Sequence, residues 1–175
     1  MATNLEFINS FKNTTGGIAT FQLTNIFSDK YDVYKIFYEY KGNDVSGYVR
    51  FKLIDSGGSV ISDAEYAAAS LAMRSYNTFF ENKNNGTKTN MGEAGYNQNF
   101  GAGAEMTIFN PYDSSSFTFA INSNAGGTTS SGDLFGYKSI NAHQVAEQIT
   151  GLEFSVTGGG SYDFDYISAS VYGVK

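Results

Sequence analysis

The C-terminal part of this chain carries the strongest constraint on its fold. Between residues 166 and 172, Ile167, Ala169 and Val171 alternate with tyrosine and serine side chains. A period of two is typical of a β-strand that turns one face to a core and the other to solvent. A second β-like segment, 149–156, precedes it across the glycine run 158–160. The sequence therefore predicts two strands joined by a glycine turn.

The same β-like pattern recurs along most of the chain. The other segments that carry it are 5–11, 18–27, 31–40, 46–55, 75–80, 104–110, 116–122 and 134–145. The chain has 15 Phe, 13 Tyr, 20 Gly and a single Pro, and aromatic residues favour strands whereas Gly, Asn and Ser favour turns. About nine or ten strands with regular turns predict an all-β fold, an antiparallel two-sheet sandwich that is jelly-roll-like. Residues 1–175 are predicted to form a single jelly-roll domain.

Two segments depart from this pattern. Residues Asp63 to Met73 are rich in alanine and favour a helix capped by Asp63, with an irregular or strand conformation as the alternative. Residues 81–103 are rich in Asn and Gly, which predicts a long loop, or two short edge strands with broad turns. Because this segment is polar and too long for a turn, we expect it to order on contact with a neighbouring subunit.

Composition excludes several classes of function. The formal net charge is −6 and the 11 Lys and Arg residues are scattered, so binding to nucleic acid is not expected. The chain has no cysteine, which excludes disulfides, thiolate metal sites and cysteine nucleophiles. No segment approaches the roughly 20 apolar residues of a membrane helix, and the N-terminus lacks signal-peptide features. We therefore expect synthesis and folding in the cytosol, with no membrane partner.

The residue types that carry catalysis are sparse. His143 is the only histidine, so zinc sites built on histidine or cysteine pairs are excluded, and no Gly-x-Ser-x-Gly nucleophile turn is present. An ordinary surface or half-buried histidine is the prediction. Asp29 with Asp32, and Asp163 with Asp165, offer oxygen ligands for calcium but fit no calcium-binding pattern. The sequence thus predicts no catalytic residue, no metal, no cofactor and no enzymatic activity.

The carboxylates are also isolated along the sequence. A sandwich-type glycosidase would need two of them about 5–10 Å apart in a groove, and no paired spacing is present. Solvated surface groups are the prediction. The isolated glutamates are Glu39, Glu65, Glu81, Glu93, Glu105, Glu147 and Glu153.

Aromatic side chains on strands and turns form the candidate recognition surface. Exposed tyrosine among Asn and Ser is typical of rigid, polar surfaces that bind glycans or proteins. The alternative is that these rings cap the core and leave their polar ends in water. The residues predicted for an interface or ligand surface are Tyr48, Tyr96, Phe100, Tyr112, Tyr166 and Tyr172.

Two parts of the chain resemble a known group of proteins. The first comprises residues 26–36 and 47–58 with Tyr66, and includes Gly47-Tyr48-Val49-Arg50-Phe51-Lys52-Leu53-Ile54-Asp55-Ser56-Gly57-Gly58. The second comprises residues 149–154 and the closing run Ala169-Ser170-Val171-Tyr172-Gly173-Val174-Lys175. Together they cover about a fifth of the chain. They resemble the small jelly-roll virion proteins of tailed phages, which are common in marine and cyanobacterial phages.

The resemblance implies a structural role without chemistry. Such proteins decorate or cement the phage head, or form parts of fibres and tail appendages, and they are often trimeric. It implies a homo-oligomer, with a trimer as one form, whose partners are the major capsid protein or tail proteins, in a virion assembled in the host cytoplasm. A head decoration or cement protein is the first expectation. The alternative is a receptor-binding module of a tail fibre or appendage that recognises a host carbohydrate.

Overall fold

A computed structural model describes residues 4–43, 47–75, 79–96, 100–127, 134–157 and 162–175. The regular secondary structure within these ranges consists of twelve β-strands. Their bounds are β1 Leu5–Asn13, β2 Thr20–Leu23, β3 Val33–Gly42, β4 Tyr48–Asp55, β5 Tyr66–Arg74, β6 Phe80–Lys88, β7 Met91–Tyr96, β8 Ala102–Phe109, β9 Thr118–Gly127, β10 Leu134–His143, β11 Ile149–Thr157 and β12 Phe164–Val174. None of the described residues belongs to a helix long and apolar enough to cross a membrane.

The strands form two antiparallel sheets that pack face to face. The large sheet has eight strands in the order β1-β12-β3-β8-β9-β10-β5-β6, and the small sheet has four in the order β2-β11-β4-β7. The fold is therefore an all-β, jelly-roll-like sandwich, which confirms the predicted class. The closing segment is strand β12 and lies between β1 and β3, as a half-buried strand should.

Aromatic rings fill the space between the sheets. Phe154 of β11 pairs in register with Phe51 of β4 on one side and with Phe21 of β2 on the other. The Phe21 ring stacks on Phe154 at a centroid distance of 4.9 Å, and on Phe11 from the large sheet at 4.7 Å. Burial of such rings is a main source of stability in a chain without disulfides.

The alanine-rich segment is a strand, so the predicted helix over Asp63 to Met73 is wrong and the strand alternative fits. Strand β5 alternates buried Tyr66, Ala68 and Ala72 with more accessible residues, and it pairs with β10 on one side and β6 on the other. Two ladders of backbone hydrogen bonds and a buried face outweigh the modest helix preference of alanine.

The segment predicted as a long Asn/Gly-rich loop at about 81–103 contains regular structure. Strands β6 and β7 occupy most of its described part, and each lies at an edge of its sheet. The long loop is therefore wrong for those residues, and the alternative of two edge strands fits. Residues 97–99 lie outside the described ranges, and ordering on contact with a neighbour stays a prediction.

Candidate functional site

The large sheet turns one face toward the small sheet and the other, the outer face, away from it. Alternating burial identifies the outer face on each strand: in β3, Ile36 and Tyr38 are buried whereas Phe37 between them is exposed. On β9 and β10 the outward side chains include Phe119, which is 44% exposed, and Ile140, which is 61% exposed. Large apolar side chains therefore stand in solvent on the outer face.

Strand register aligns these side chains in rows across the sheet. One row, running from β5 to β1, consists of Ala69, Ile140, Ile121, Thr107, Lys35, Tyr172 and Phe7. The adjacent row consists of Ala67, Ala142, Phe119, Phe109 and Val33. We call these two rows the apolar band, and the longer row is interrupted by Thr107 and Lys35. Since neighbouring strands lie about 4.8 Å apart, its longer row spans about 29 Å.

One end of the apolar band is hollowed into a groove. The groove has a volume of about 540 Å³, and its lining includes Ala67, Ala69, Ala142, Phe119 and Ile140. Three short alanine side chains beside two large apolar ones create the depression. The apolar lining suits an apolar partner group better than a sugar, which presents many hydroxyls.

Charge on the outer face is mixed rather than strongly negative. Five lysines and three glutamates occupy outer-face positions in the registered strands, and Asp165 at the irregularity of β12 pairs with Lys41, so this face carries about +1 whereas the whole chain carries −6. These residues are Lys12, Lys35, Lys41, Lys83, Lys138, Glu39, Glu81 and Glu105. The excess negative charge of the protein therefore resides elsewhere, so a second copy can approach this face without strong repulsion.

Two of the six residues predicted for an interface lie on the outer face. Tyr172 belongs to the apolar band, and its ring contacts Phe7 at 5.8 Å and Phe37 at 5.9 Å between centroids. Tyr166 lies nearer the opposite end of β12, where its hydroxyl donates a hydrogen bond to the Glu39 carboxylate. That hydrogen bond raises the pKa of the Tyr166 hydroxyl.

The other four predicted residues lie elsewhere. Tyr48 is on the solvent side of the small sheet, with Arg50 at 5.5 Å from its ring centroid. Phe100 is in a turn before β8 and is 70% exposed. Tyr112 is half-buried and packs against the core. Tyr96 pairs with Tyr48 through its backbone, and its side chain falls outside the description.

Sequence reasoning missed the side chains that dominate the apolar band. Segment 116–122 alternates, and the alternation separates Phe119 and Ile121 from Thr118, Ala120 and Asn122. The structure buries the second set and exposes the first, the reverse of the usual arrangement. The polar side of this strand can be buried because it finds hydrogen-bond partners in the core. The Tyr38 hydroxyl, for example, donates to Asn122 Oδ1 at 2.6 Å. An alternating strand with small polar residues on one side is therefore the signal that can find them.

His143 is also placed differently from the prediction. It ends β10 fully buried, so an ordinary surface or half-buried histidine is wrong. Its Nε2 lies 3.2 Å from Glu65 Oε2 and 3.5 Å from Glu147 Oε1. Two glutamates that are isolated in the sequence thus meet at one imidazole.

Comparisons with known proteins give no family. No family model and no curated protein matches the chain. Among solved structures it is similar to the marine PL-14 alginate lyase from Aplysia kurodai, with 10% identity over 86% of this chain and 72% of that one, at a TM-score of 0.44. It is similar to the Clostridium perfringens CspB protease with 10% identity over 95% of this chain and 25% of that one, at 0.32. It is similar to Ail, the attachment invasion locus protein of Yersinia pestis, with 8% identity over 71% of this chain and 99% of that one, at a TM-score of 0.19.

Proposed function

We propose that this chain is a non-enzymatic structural protein of a phage virion, and that it assembles through the apolar band on the outer face of its large sheet. The observation that carries the proposal is the alignment of apolar side chains in two adjacent rows, in which Phe119, Ile121 and Ile140 form an exposed cluster. Scattered surface apolar residues are ordinary, but contiguous apolar patches of several hundred Å² are typical of protein contacts.

The apolar band is the centre of a contact rather than the whole of it. Its longer row spans about 29 Å, and its two rows of outward side chains extend about 7–14 Å along the strands. The resulting footprint of about 200–400 Å² is below the roughly 800 Å² per partner of a standard interface. Side chains at the margins, such as Leu71 and Phe37, enlarge the contact when a partner packs against them.

The partner that fits best is a second copy of this chain. A two-fold contact places the same patch on both sides, so each apolar row meets another apolar row. The mixed charge of the outer face supports this choice, since lysines of one copy can lie near glutamates of the other. Such a contact makes a dimer. The trimer that the sequence resemblance implies requires a different contact, so the measured mass distinguishes the two.

The position on a particle follows from the sequence resemblance, and the head is our first choice. A decoration or cement protein acts by shape and buried apolar area and needs no catalytic group. A receptor-binding module of a tail fibre or appendage is the second candidate. One observation favours it: a depression of about 320 Å³ lined by Glu39, Lys41 and Tyr166 offers the mixture of charged and aromatic groups that a glycan site uses.

Oligomeric mass tests the assembly contact directly. We expect analytical ultracentrifugation of the full chain to show a concentration-dependent dimer, and Ile140→Lys to convert it to monomer, because a buried unpaired ammonium opposes association. Thr20→Lys is the matched control, since Thr20 is exposed on the small sheet. A monomer at all concentrations, or a dimer that persists in Ile140→Lys, would contradict the contact.

The virion assignment needs a separate measurement. We expect antibody to this chain to label the heads of purified phage particles in electron micrographs. Label at the tail tip or fibres would support the receptor-binding alternative, and glycan arrays would then follow. Absence of label from all particles would refute the virion assignment without affecting the oligomeric result.

A further inference from the structure

Three side chains that are distant in sequence converge near the end of β10. His143 is the last residue of that strand, Glu65 directly precedes β5, and Glu147 lies in the connection from β10 to β11. One ring nitrogen and one oxygen from each carboxylate all lie within 4.8 Å of one another. Among the residues that the structure describes, this is the one group of three or more histidine or acidic side chains with metal-binding geometry.

The imidazole provides an observation independent of the acidic groups. It is fully buried, and its Nε2 points between the two carboxylates. The Tyr66 ring packs beside it at 5.0 Å between centroids, and the Tyr66 hydroxyl donates to the Ile61 carbonyl at 3.1 Å. The backbone N–H of Gln144 donates to the backbone carbonyl of Glu65 at 2.9 Å, which holds the two chain segments together. The nitrogen ligand is therefore held in place before any ion arrives.

Negative charge accumulates at this position. Within the described ranges, neither Glu65 nor Glu147 forms an ion pair with a lysine or arginine. Asp55 and Asp63 add further negative charge in the neighbourhood of Glu147. A cation between the carboxylates would relieve this repulsion.

We propose that Glu65, His143 and Glu147 bind one divalent transition-metal ion, with Zn²⁺ as the preferred ion. A triangle of ligand atoms with sides of 3.2, 3.5 and at most 4.8 Å has a centre no more than about 2.4 Å from each corner. Zn²⁺ takes nitrogen and carboxylate oxygen at about 2.0–2.2 Å, so small side-chain movements complete the shell. The imidazole ligand favours Zn²⁺ over Mg²⁺ and Ca²⁺, which prefer oxygen.

The open side of the group supplies access and the remaining ligand. The side chains of Glu65 and Glu147 are about one-third exposed, so an ion reaches the group from solvent and water takes the fourth position. His143 Nδ1 has no hydrogen-bond partner among the described residues. A metal on Nε2 requires the ring proton on Nδ1, and the missing acceptor weakens binding. We therefore expect affinity in the micromolar range, below that of closed structural zinc sites.

The single histidine makes the test specific. In untagged, ¹⁵N-labelled full-length protein, long-range ¹H–¹⁵N spectra contain one imidazole, that of His143. Titration with Zn²⁺ should move the Nε2 resonance and transfer the ring proton to Nδ1, with saturation at one equivalent. The same titration with Mg²⁺ should leave both ring nitrogens unchanged. Co²⁺ in place of Zn²⁺ should give the d–d absorption of a low-coordinate site.

Isosteric variants identify the oxygen ligands. Glu65→Gln and Glu147→Gln should each weaken Zn²⁺ binding at least tenfold, measured by calorimetry. Glu153→Gln is the matched control, because Glu153 is a partly buried carboxylate on β11 that accepts a hydrogen bond from Gln22. An imidazole spectrum that saturating Zn²⁺ does not change, or an affinity retained in both ligand variants, would overturn the proposal.

Discussion

A phenylalanine in the core and one on the outer face of the large sheet should contribute differently to stability. Truncating one of each to alanine measures the difference in the free energy of unfolding. Phe154 is fully buried, stacks on Phe21 at 4.9 Å and lies 5.0 Å from the Tyr38 ring. Phe119 lies in the apolar band on the outer face, with 44% of its surface exposed. We expect Phe154→Ala to be severely destabilising and Phe119→Ala to be mild.

The expected magnitudes follow from burial. Removing a fully buried ring costs the transfer free energy and leaves a cavity, together about 3–5 kcal/mol for Phe→Ala. Phe119 forfeits only part of the roughly 1.5–3 kcal/mol of full burial, about 1 kcal/mol, and leaves no closed cavity. At 175 residues each kcal/mol shifts Tm by about 2–4 °C, so the expected losses are about 6–20 °C for Phe154→Ala and about 2–4 °C for Phe119→Ala.

Thermal unfolding at several protein concentrations is the assay. In dilute protein the two shifts should differ about fourfold. If the apolar band pairs with a second copy, the Phe119→Ala shift should grow with concentration, since the wild-type dimer gains stability by mass action. The Phe154→Ala shift relative to wild type should depend on concentration much less. Equal shifts for the two variants in dilute protein would refute the assignment of inner and outer faces.

Two further predictions concern close packing and pH. Gly173→Ala places a methyl group about 2.4 Å from the Tyr31 ring and should lower the free energy of unfolding by about 1–3 kcal/mol. In Gly103→Ala the methyl group meets no atom within 4 Å, so this variant should be neutral or slightly stabilising. Urea titration compares the two variants, and equal losses of stability would contradict the packing around Gly173. Hydrogen bonds, that from Lys175 first, lower the pKa of Glu6 from 4.5 to about 2, so its contribution to stability is present above pH 4.5 and is lost as the pH falls toward 2. Glu6→Gln should flatten this part of the stability–pH curve, and an unchanged curve would show that the ion pairs do not act in solution.

Much of the architecture was determined by local pattern. In β12 and β4 an apolar residue at every second position faces a common core, so alternation alone predicted both strands and their inward side chains, such as Phe51 and Val171. The period of two is a local property of the backbone, and it survives in any sheet that covers one face. For the same reason the all-β class and the sandwich were predictable.

The identity of the inner side was not predictable where both sides of a strand are mixed. Strand β9 carries Phe119 and Ile121 on one side and Thr118 and Asn122 on the other. Packing against the remainder of the sandwich decides which side is buried, and a hydroxyl from β3 supplies the partner for Asn122. Strand β5 shows the same dependence, because its two neighbouring strands override the helix preference of its alanines.

The candidate sites depended still more on tertiary structure. The apolar band exists because the register of seven strands aligns side chains from separate parts of the chain. Glu65 and His143 are 78 positions apart and meet because β5 and β10 are adjacent strands. The sequence by itself determined which short segments are strands and which two sides each strand has. The long-range pairing of strands decided which side faces solvent and which side chains meet, because that choice depends on contacts that no local pattern contains.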